Sequence, residues 1–335
     1  MTLELKNIGM IKEANVKIDG LTVIAGENDT GKSTVGKALF LINQGNVASV
    51  LGRFEDVFYF EKPMGKKSLI SFNNNKANFE GFYELSKKKS FITIFIDTPI
   101  VINLFNLFSN IDTIQSQVTS ELINLTGSDN FENDVIIDLI KKYSFKKPFT
   151  LDDLYKKIKL KLKKETSLNQ EKFVDSLKEI IDGEFVSHST KEIVFKRGDR
   201  EFDINSVATG IKSFGLVQLL IKNNHLTKDS ILILDEPEVH LHPKWQLEMA
   251  KIIVELVKNS VKVVVNSHSP YMIEALKRYS EVAEIEEKTN FYLAENGYIK
   301  QIENSNSLTL EQIFEKLSEP FDVFDKMDSE RLQNG

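Results

Sequence analysis

Apolar and polar positions alternate over the first 25 residues, predicting strands at 3–8, 14–18 and 21–25 with turns at Gly20 and the polar residues between. The spacing then changes to a helical period over 32–42. Residues 44–90 are mixed, and the Lys/Asn-rich stretch 66–78 reads as loop. Residues 91–96 form an apolar run that predicts a buried strand, ended by Asp97, Thr98 and Pro99. From about 101 to 181 the pattern is helical, with Leu154, Ile158, Leu160 and Leu162 among lysines and then Phe173, Leu177, Ile180 and Ile181. We read this stretch as a helical insertion. Runs at 193–196 and 201–204 predict a hairpin around Gly198 and Asp199, followed by a helix at 210–222. A buried strand at 231–234, a helix at 244–258, a strand at 261–266 and a helix at 270–278 complete an α/β pattern. No internal repeat and no long heptad array interrupts it.

Composition adds limits. The 335 residues suffice for a large core and one or two domains, and 41% hydrophobic with 27% charged residues is an ordinary globular balance. No apolar run reaches the length of a membrane span, so no membrane partner is expected. The first residues lack the apolar centre of a secretion signal, and the chain has no cysteine, which excludes disulfides and thiolate zinc sites and fits a cytoplasmic location. The net charge of −6 is unevenly spread: residues 141–172 hold eleven lysines and four acids. That run reads either as a solvated helix surface or as a contact for nucleic acid or a protein partner.

The most specific chemistry is Gly26-Glu27-Asn28-Asp29-Thr30-Gly31-Lys32-Ser33, lying between the third predicted strand and the first predicted helix. Strand, glycine loop and helix in this order make a phosphate cradle of backbone N–H groups aimed by a helix N-terminus. Gly26, Asn28, Thr30, Gly31, Lys32, Ser33 and Thr34 are the expected nucleotide contacts, with Lys32 on the β- and γ-phosphates and Ser33 on Mg²⁺. The strand 231–234 ends in Asp235 and Glu236. In a nucleotide hydrolase Asp235 holds Mg²⁺ through water, and Glu236 is the base that polarises the attacking water. The strands before the glycine loop and before Asp235 are expected as parallel neighbours. The strand 261–266 ends beside His268, whose imidazole is expected on the γ-phosphate or the lytic water.

These three segments resemble the ATPase heads of the ABC type. Asp235-Glu236-Pro237-Glu238-Val239-His240-Leu241-His242-Pro243 and Asn266-Ser267-His268-Ser269-Pro270 narrow the resemblance to the branch shared by SMC-like repair ATPases and the overcoming-lysogenization-defect (OLD) phage-defence proteins. It covers residues 1–45 and 190–300 well and the middle poorly. It implies an α/β P-loop head with a mixed sheet, N-terminal antiparallel strands and a helical insertion. The expected division is an N-terminal part of the head at 1–100, the insertion at 101–185, a C-terminal part at 186–300 and a helical tail at 301–335.

The resemblance further implies a signature loop that completes the site of a second copy in a head-to-tail homodimer. The candidate is Ser206-Val207-Ala208-Thr209-Gly210-Ile211-Lys212-Ser213, where Gly210 matches, Ala208 replaces the usual serine and Ile211 the usual glutamine. Lys212 reads either as a solvated helix charge or as a cation acting in trans on the phosphates. His242 stands where the family's D-loop aspartate lies, and a metal held by His240 and His242 is the weaker reading. The insertion is too short for long coiled-coil arms, and the residues after 300 leave no room for a Toprim nuclease. Glu311, Glu315, Glu319, Asp322, Asp325 and Asp328 in that tail recur at helical spacing and read as a solvated face. The implied function is an ATP- and Mg²⁺-dependent dimeric switch, in anti-phage defence with a separate nuclease or toxin effector. The alternative is a repair or recombination ATPase that clamps DNA.

Overall fold

The computed structural model describes residues 1–44, 54–58, 68–73, 75–78, 82–85, 91–126, 147–163, 169–187 and 193–334. Two compact units emerge: Met1–Thr98 with Leu162–Gln170 and Asn224–Gly335, and Pro99–Lys161 with Glu171–Asn223.

The first unit is organised by an eleven-stranded mixed sheet. Strands β1 (Thr2–Ile8) and β3 (Leu21–Ala25) match the alternation in the sequence, whereas β2 (Ile11–Lys17) begins three residues before the expected 14–18, in a tight hairpin pairing Ile8 with Ile11; helix α1 (Lys32–Ile42) and a short α2 (Phe54–Phe58) follow. Next come β4 (Leu69–Phe72), β5 (Asn75–Asn78), β6 (Phe82–Leu85) and β7 (Ile92–Ile96). The stretch 66–78 is therefore not simply loop. Ile70, Phe72 and Ala77 are buried, so two short apolar runs override a Lys/Asn-rich composition, and Asn73 turns the chain with φ 55°. The later strands are β11 (Ser230–Asp235), β12 (Lys262–Ser267), β13 (Thr289–Glu295) and β14 (Tyr298–Lys300).

The sheet order is β6-β5-β4-β1-β2-β14-β13-β3-β12-β11-β7. β13, β3, β12, β11 and β7 are parallel, and β1 pairs antiparallel with both β2 and β4. One expectation needs correction here. β3 and β11 are not neighbours, because β12 lies between them, with Val265 against Val23 on one side and Leu234 on the other. Every residue of β3 is buried, as is every residue of β11 before Asp235, which is the signature of parallel strands covered on both faces. Each such Ile, Leu or Val contributes about 1.5–3 kcal/mol of burial.

The covering helices of this unit include α7 (Pro243–Lys258) and α8 (Pro270–Val282). Each starts with proline in its first turn behind a side-chain cap: His242 Nδ1 accepts from Lys244 N, and Ser269 Oγ accepts from Met272 N. The unit ends in α9 (Asn306–Asn334). Glu311, Glu315 and Glu319 are exposed on α9 as expected, but so are Phe321, Phe324 and Met327.

The second unit holds α3 (Ile100–Thr126), α4 (Phe149–Lys159), α5 (Gln170–Ile181), the antiparallel sheet of β8 (Glu184–Ser187), β9 (Ile193–Arg197) and β10 (Arg200–Asp203), and α6 (Thr209–Lys222). It thus joins the helices of the expected insertion to a small sheet and a helix that the sequence pattern groups with the head. The predicted hairpin forms at β9 and β10, with Ile204 leaving the strand to open a 3-10 turn. Its core stacks Tyr155 on Phe105 and Phe108 and Phe185 on Phe195. No helix among the described residues is long and apolar enough to cross a membrane.

Candidate functional site

The C-terminal ends of β3, β12 and β11 lie side by side, and the side chains singled out in the sequence converge there. Gly26 leaves β3 so close to β13 that a Cβ would overlap the Ala294 carbonyl oxygen. Gly31 has φ 94°, a left-handed conformation that opens α1 without a β-carbon penalty. Thr30 Oγ1 donates to Glu27 O at 2.8 Å, bracing the loop from within.

Lys32 is only 4% exposed. Its Nζ donates to the carbonyl oxygens of Gly26 (2.9 Å) and Glu27 (2.6 Å), so the ammonium is folded against its own loop. Burial lowers its pKa, while Glu236, Asp235, Glu238 and Glu27 act in the opposite sense. Ser33 hydrogen-bonds the Asp235 carboxylate. Asn28 and Thr34 fall in the same loop and first helical turn.

Asp235 is raised above the usual carboxylate range by burial. Hydrogen bonds from Asn266 and Ser33 pull it down, and the charge of Glu236 adds to the rise. Asn266 Nδ2 donates to Asp235 Oδ1 at 2.8 Å, while Asn266 Oδ1 is buried with no partner. Glu236 stands at φ 51°, an uncommon conformation for a side chain of its size, fixed by its N–H donating to Asn266 O at 2.9 Å. His268 Nδ1 lies 3.4 Å from both Glu236 Oε1 and Glu238 Oε1. Ser33, Asp235, Glu236, His268 and Lys32 are thus gathered at one sheet edge.

Two contributors escaped the sequence reading although their letters were in view. Asn266 is wholly buried and grips Asp235. Glu238 is 5% exposed, and its Oε1 accepts from Ser267 Oγ (2.7 Å), His268 N (2.9 Å) and Ser269 N (3.2 Å). Both sit next to residues with an obvious role, and only tertiary pairing distinguishes them.

Gly210 and Lys212 belong to the other compact unit, in the first turn of α6. Lys212 is 3% exposed, and no ion pair to it is formed among the described residues. Burial lowers its pKa, with Asp203 the opposing charge. It is not the solvated helix charge of the simpler reading. His242 spends Nδ1 on capping α7, and among the described residues no group of three or more His, Asp or Glu side chains is placed to hold a metal.

Four lysines of the run form ion pairs within the second unit, while Lys161, Lys163 and Lys172 are exposed. Lys147 and Lys159 pair with Asp112, Lys156 with Asp152 and Lys157 with Asp153. Lys141, Lys142, Lys146, Lys164 and Glu165 lie outside the described residues.

Residues 21–274 match a family model described as AAA domain, putative AbiEii toxin, Type IV TA system. The Septu protein PtuA of Bacillus thuringiensis is 26% identical over 102 residues, which span 27% of this chain and 26% of that protein. Among solved structures, the SmcHead bound to the C-winged helix domain of ScpA aligns at 16% identity and TM-score 0.49, covering 90% of this chain and 96% of that chain. The Smc head domain with an extended coiled coil bound to the C-terminal domain of ScpA, derived from Pyrococcus furiosus, aligns at 15% identity and TM-score 0.48, covering 95% and 98%.

Proposed function

The chain belongs to that AAA-domain family, and from this premise we propose that it binds ATP with Mg²⁺ and hydrolyses it as a switch between separate and paired heads. The observation that carries the reading is the convergence of Lys32, Ser33, Asp235, Glu236 and His268 at the ends of three adjacent parallel strands.

The residues suit both nucleotide and cation. Ser33 and Asp235 present a hydroxyl and a carboxylate in mutual contact, the oxygen donors that Mg²⁺ prefers, with substrate phosphate and water completing such sites. Mg²⁺ bound there supplies charge neutralisation on the phosphates. Lys32 exchanges two loop carbonyls for phosphate oxygens, which it binds as a compact point charge. Glu236 accepts a proton from the attacking water, and its left-handed backbone sets where the side chain leaves the chain. His268 orients the same water or the γ-phosphate. The half-buried Asp235 is held by Asn266 so that only its remaining lone pairs face the cation.

In this reading Gly210 and Lys212 act on a nucleotide held by a second copy. A lysine 3% exposed in the first turn of a helix, with no ion pair among the described residues and only the charge of Asp203 to oppose its burial, supports an anion-binding role. The biological setting we favour is anti-phage defence with a separate nuclease or toxin effector, as the likeness to OLD proteins implies. DNA clamping is the alternative; four lysines of the basic run, at 147, 156, 157 and 159, are already paired with aspartates, while Lys161 and Lys163 stay exposed. The test is ATP turnover and sedimentation of the purified chain with and without Mg²⁺. We expect Mg²⁺-dependent hydrolysis and a dimer formed only with ATP; a monomer that never turns over ATP overturns the reading.

A further inference from the structure

Glu238 has no part in the chemistry assigned so far, yet it is the most heavily used carboxylate at the sheet edge. One oxygen, Oε1, collects the hydroxyl of Ser267 and the main-chain N–H groups of His268 and Ser269. Ser269 in turn caps α8 and donates through Oγ to Gln246 Oε1 at 2.6 Å, while Gln246 Nε2 donates to Leu241 O at 3.1 Å. The segment after β11 is thereby tied to the segment after β12, with His268 in the middle of the tie. The other oxygen of Glu238, Oε2, is buried without a hydrogen bond, and His268 Nδ1 is buried with carboxylates near it but no formed hydrogen bond.

Nδ1 faces two carboxylate oxygens, one from Glu236 and one from Glu238, each at 3.4 Å. A bare nitrogen lone pair there would oppose two negative charges. A nitrogen bearing hydrogen is attracted by both, and a closure of a few tenths of an ångström makes a normal hydrogen bond. The two carboxylates differ in mobility. Glu236 is a third exposed at its side chain, whereas Glu238 is buried and pinned by three donors.

We propose that Glu238 is a positioning residue that fixes the ring of His268 and keeps hydrogen on Nδ1, so that the bare Nε2 is always the edge presented to the attacking water, from which it accepts a hydrogen bond. Glu236 is then free to turn toward water without releasing the imidazole. This inference rests on the ATPase reading for its kinetic consequence, but not for its tautomer.

The experiment uses the full chain with ¹⁵N-labelled histidine and long-range ¹⁵N–¹H NMR, the His268 signals being identified among the five histidines by their loss in His268→Asn. In the unmodified protein Nδ1 should carry hydrogen; a bare Nδ1 overturns the proposal without any variant at Glu238. Glu238→Gln keeps one carbonyl oxygen for the three donors but removes the negative charge. We expect it to melt close to the unmodified protein, bind ATP with unchanged affinity and lose roughly 10- to 100-fold in kcat, the usual scale for a residue that orients another. Its His268 should move toward the Nε2–H tautomer. A folded Glu238→Gln protein with unchanged kcat and unchanged tautomer overturns the proposal. If the unmodified protein does not hydrolyse ATP, the function fails, while the NMR result still decides whether Glu238 sets the ring.

Discussion

Two aspartates, Asp112 in the second unit and Asp235 in the first, are each held by neighbouring side chains, and their surroundings drive them in opposite directions. Burial pushes Asp112 up, but hydrogen bonds from Lys147, Lys159 and Tyr155 outweigh it and hold the carboxyl at about 2. Lys159 also donates to Tyr155 at 2.6 Å, and Lys147 lies over the rings of Phe108 and Tyr155. The cluster satisfies itself. Asp235 receives only neutral hydrogen bonds from Asn266 and Ser33, is crowded by Glu236, and stays raised. Around it Asn266 Oδ1 and Glu238 Oε2 are buried without hydrogen bonds. A cluster complete within the chain holds structure together. In the proposed function, the cluster left incomplete is where a ligand supplies the missing charge.

The sharpest test of that contrast is Glu236→Gln, which should lower ATP turnover by about 10²–10⁴-fold while nucleotide binding is kept. Unchanged steady-state hydrolysis would remove Glu236 from the mechanism. Next in size, Lys32→Ala should weaken nucleotide binding roughly 100-fold, about 3 kcal/mol, measured by fluorescence titration with a labelled ATP analogue. Tight binding retained there would mean that the buried ammonium serves its loop alone.

Asp112→Asn tests the other side. It should cost about 1–3 kcal/mol in urea unfolding, because Lys147 is 7% exposed at its side chain and keeps only the more distant Asp152, at 3.9 Å, as counter-charge, yet it should leave ATP affinity unchanged. A large loss of affinity would show that the self-contained cluster is functional after all. The smallest effect is acid sensitivity. The folded value of Asp112 lies below its ordinary 3.8, so its stabilisation is present above about pH 4 and disappears as pH falls toward 2. With the side chain a third exposed, about 1 kcal/mol is expected, read as the difference in acid unfolding between the unmodified chain and Asp112→Asn.

Legibility followed the same division. Strand β3, the glycine loop and α1 could be read to the residue because burial, turn chemistry and helix period agree there. Asp235, Glu236 and His268 were legible because each ends an apolar run. The order of the strands was not, since β12 inserts between β3 and β11 through pairings that leave no local mark. Strands β4 and β5 were hidden by polar residues on their exposed faces. Lys212 was ambiguous because burial of a cation is a tertiary fact. Glu238 was quoted as part of a motif, but its three donors arrive from a strand thirty positions away.

The placement of β3 has a consequence for how the protein is made. Both hydrogen-bonding edges of this strand are closed only by β12 and β13, with Leu21 opposite Val263 on one side and Thr289 on the other. A ribosome therefore releases the phosphate loop long before either flanking strand exists. Until then β3 is an uncapped, mostly apolar edge, the kind of segment that pairs with the wrong chain. The acids and the imidazole arrive only with β11 and β12, so the proposed nucleotide site is incomplete in the early intermediate. The site and the completed centre of the sheet should appear in a single, slow, late event.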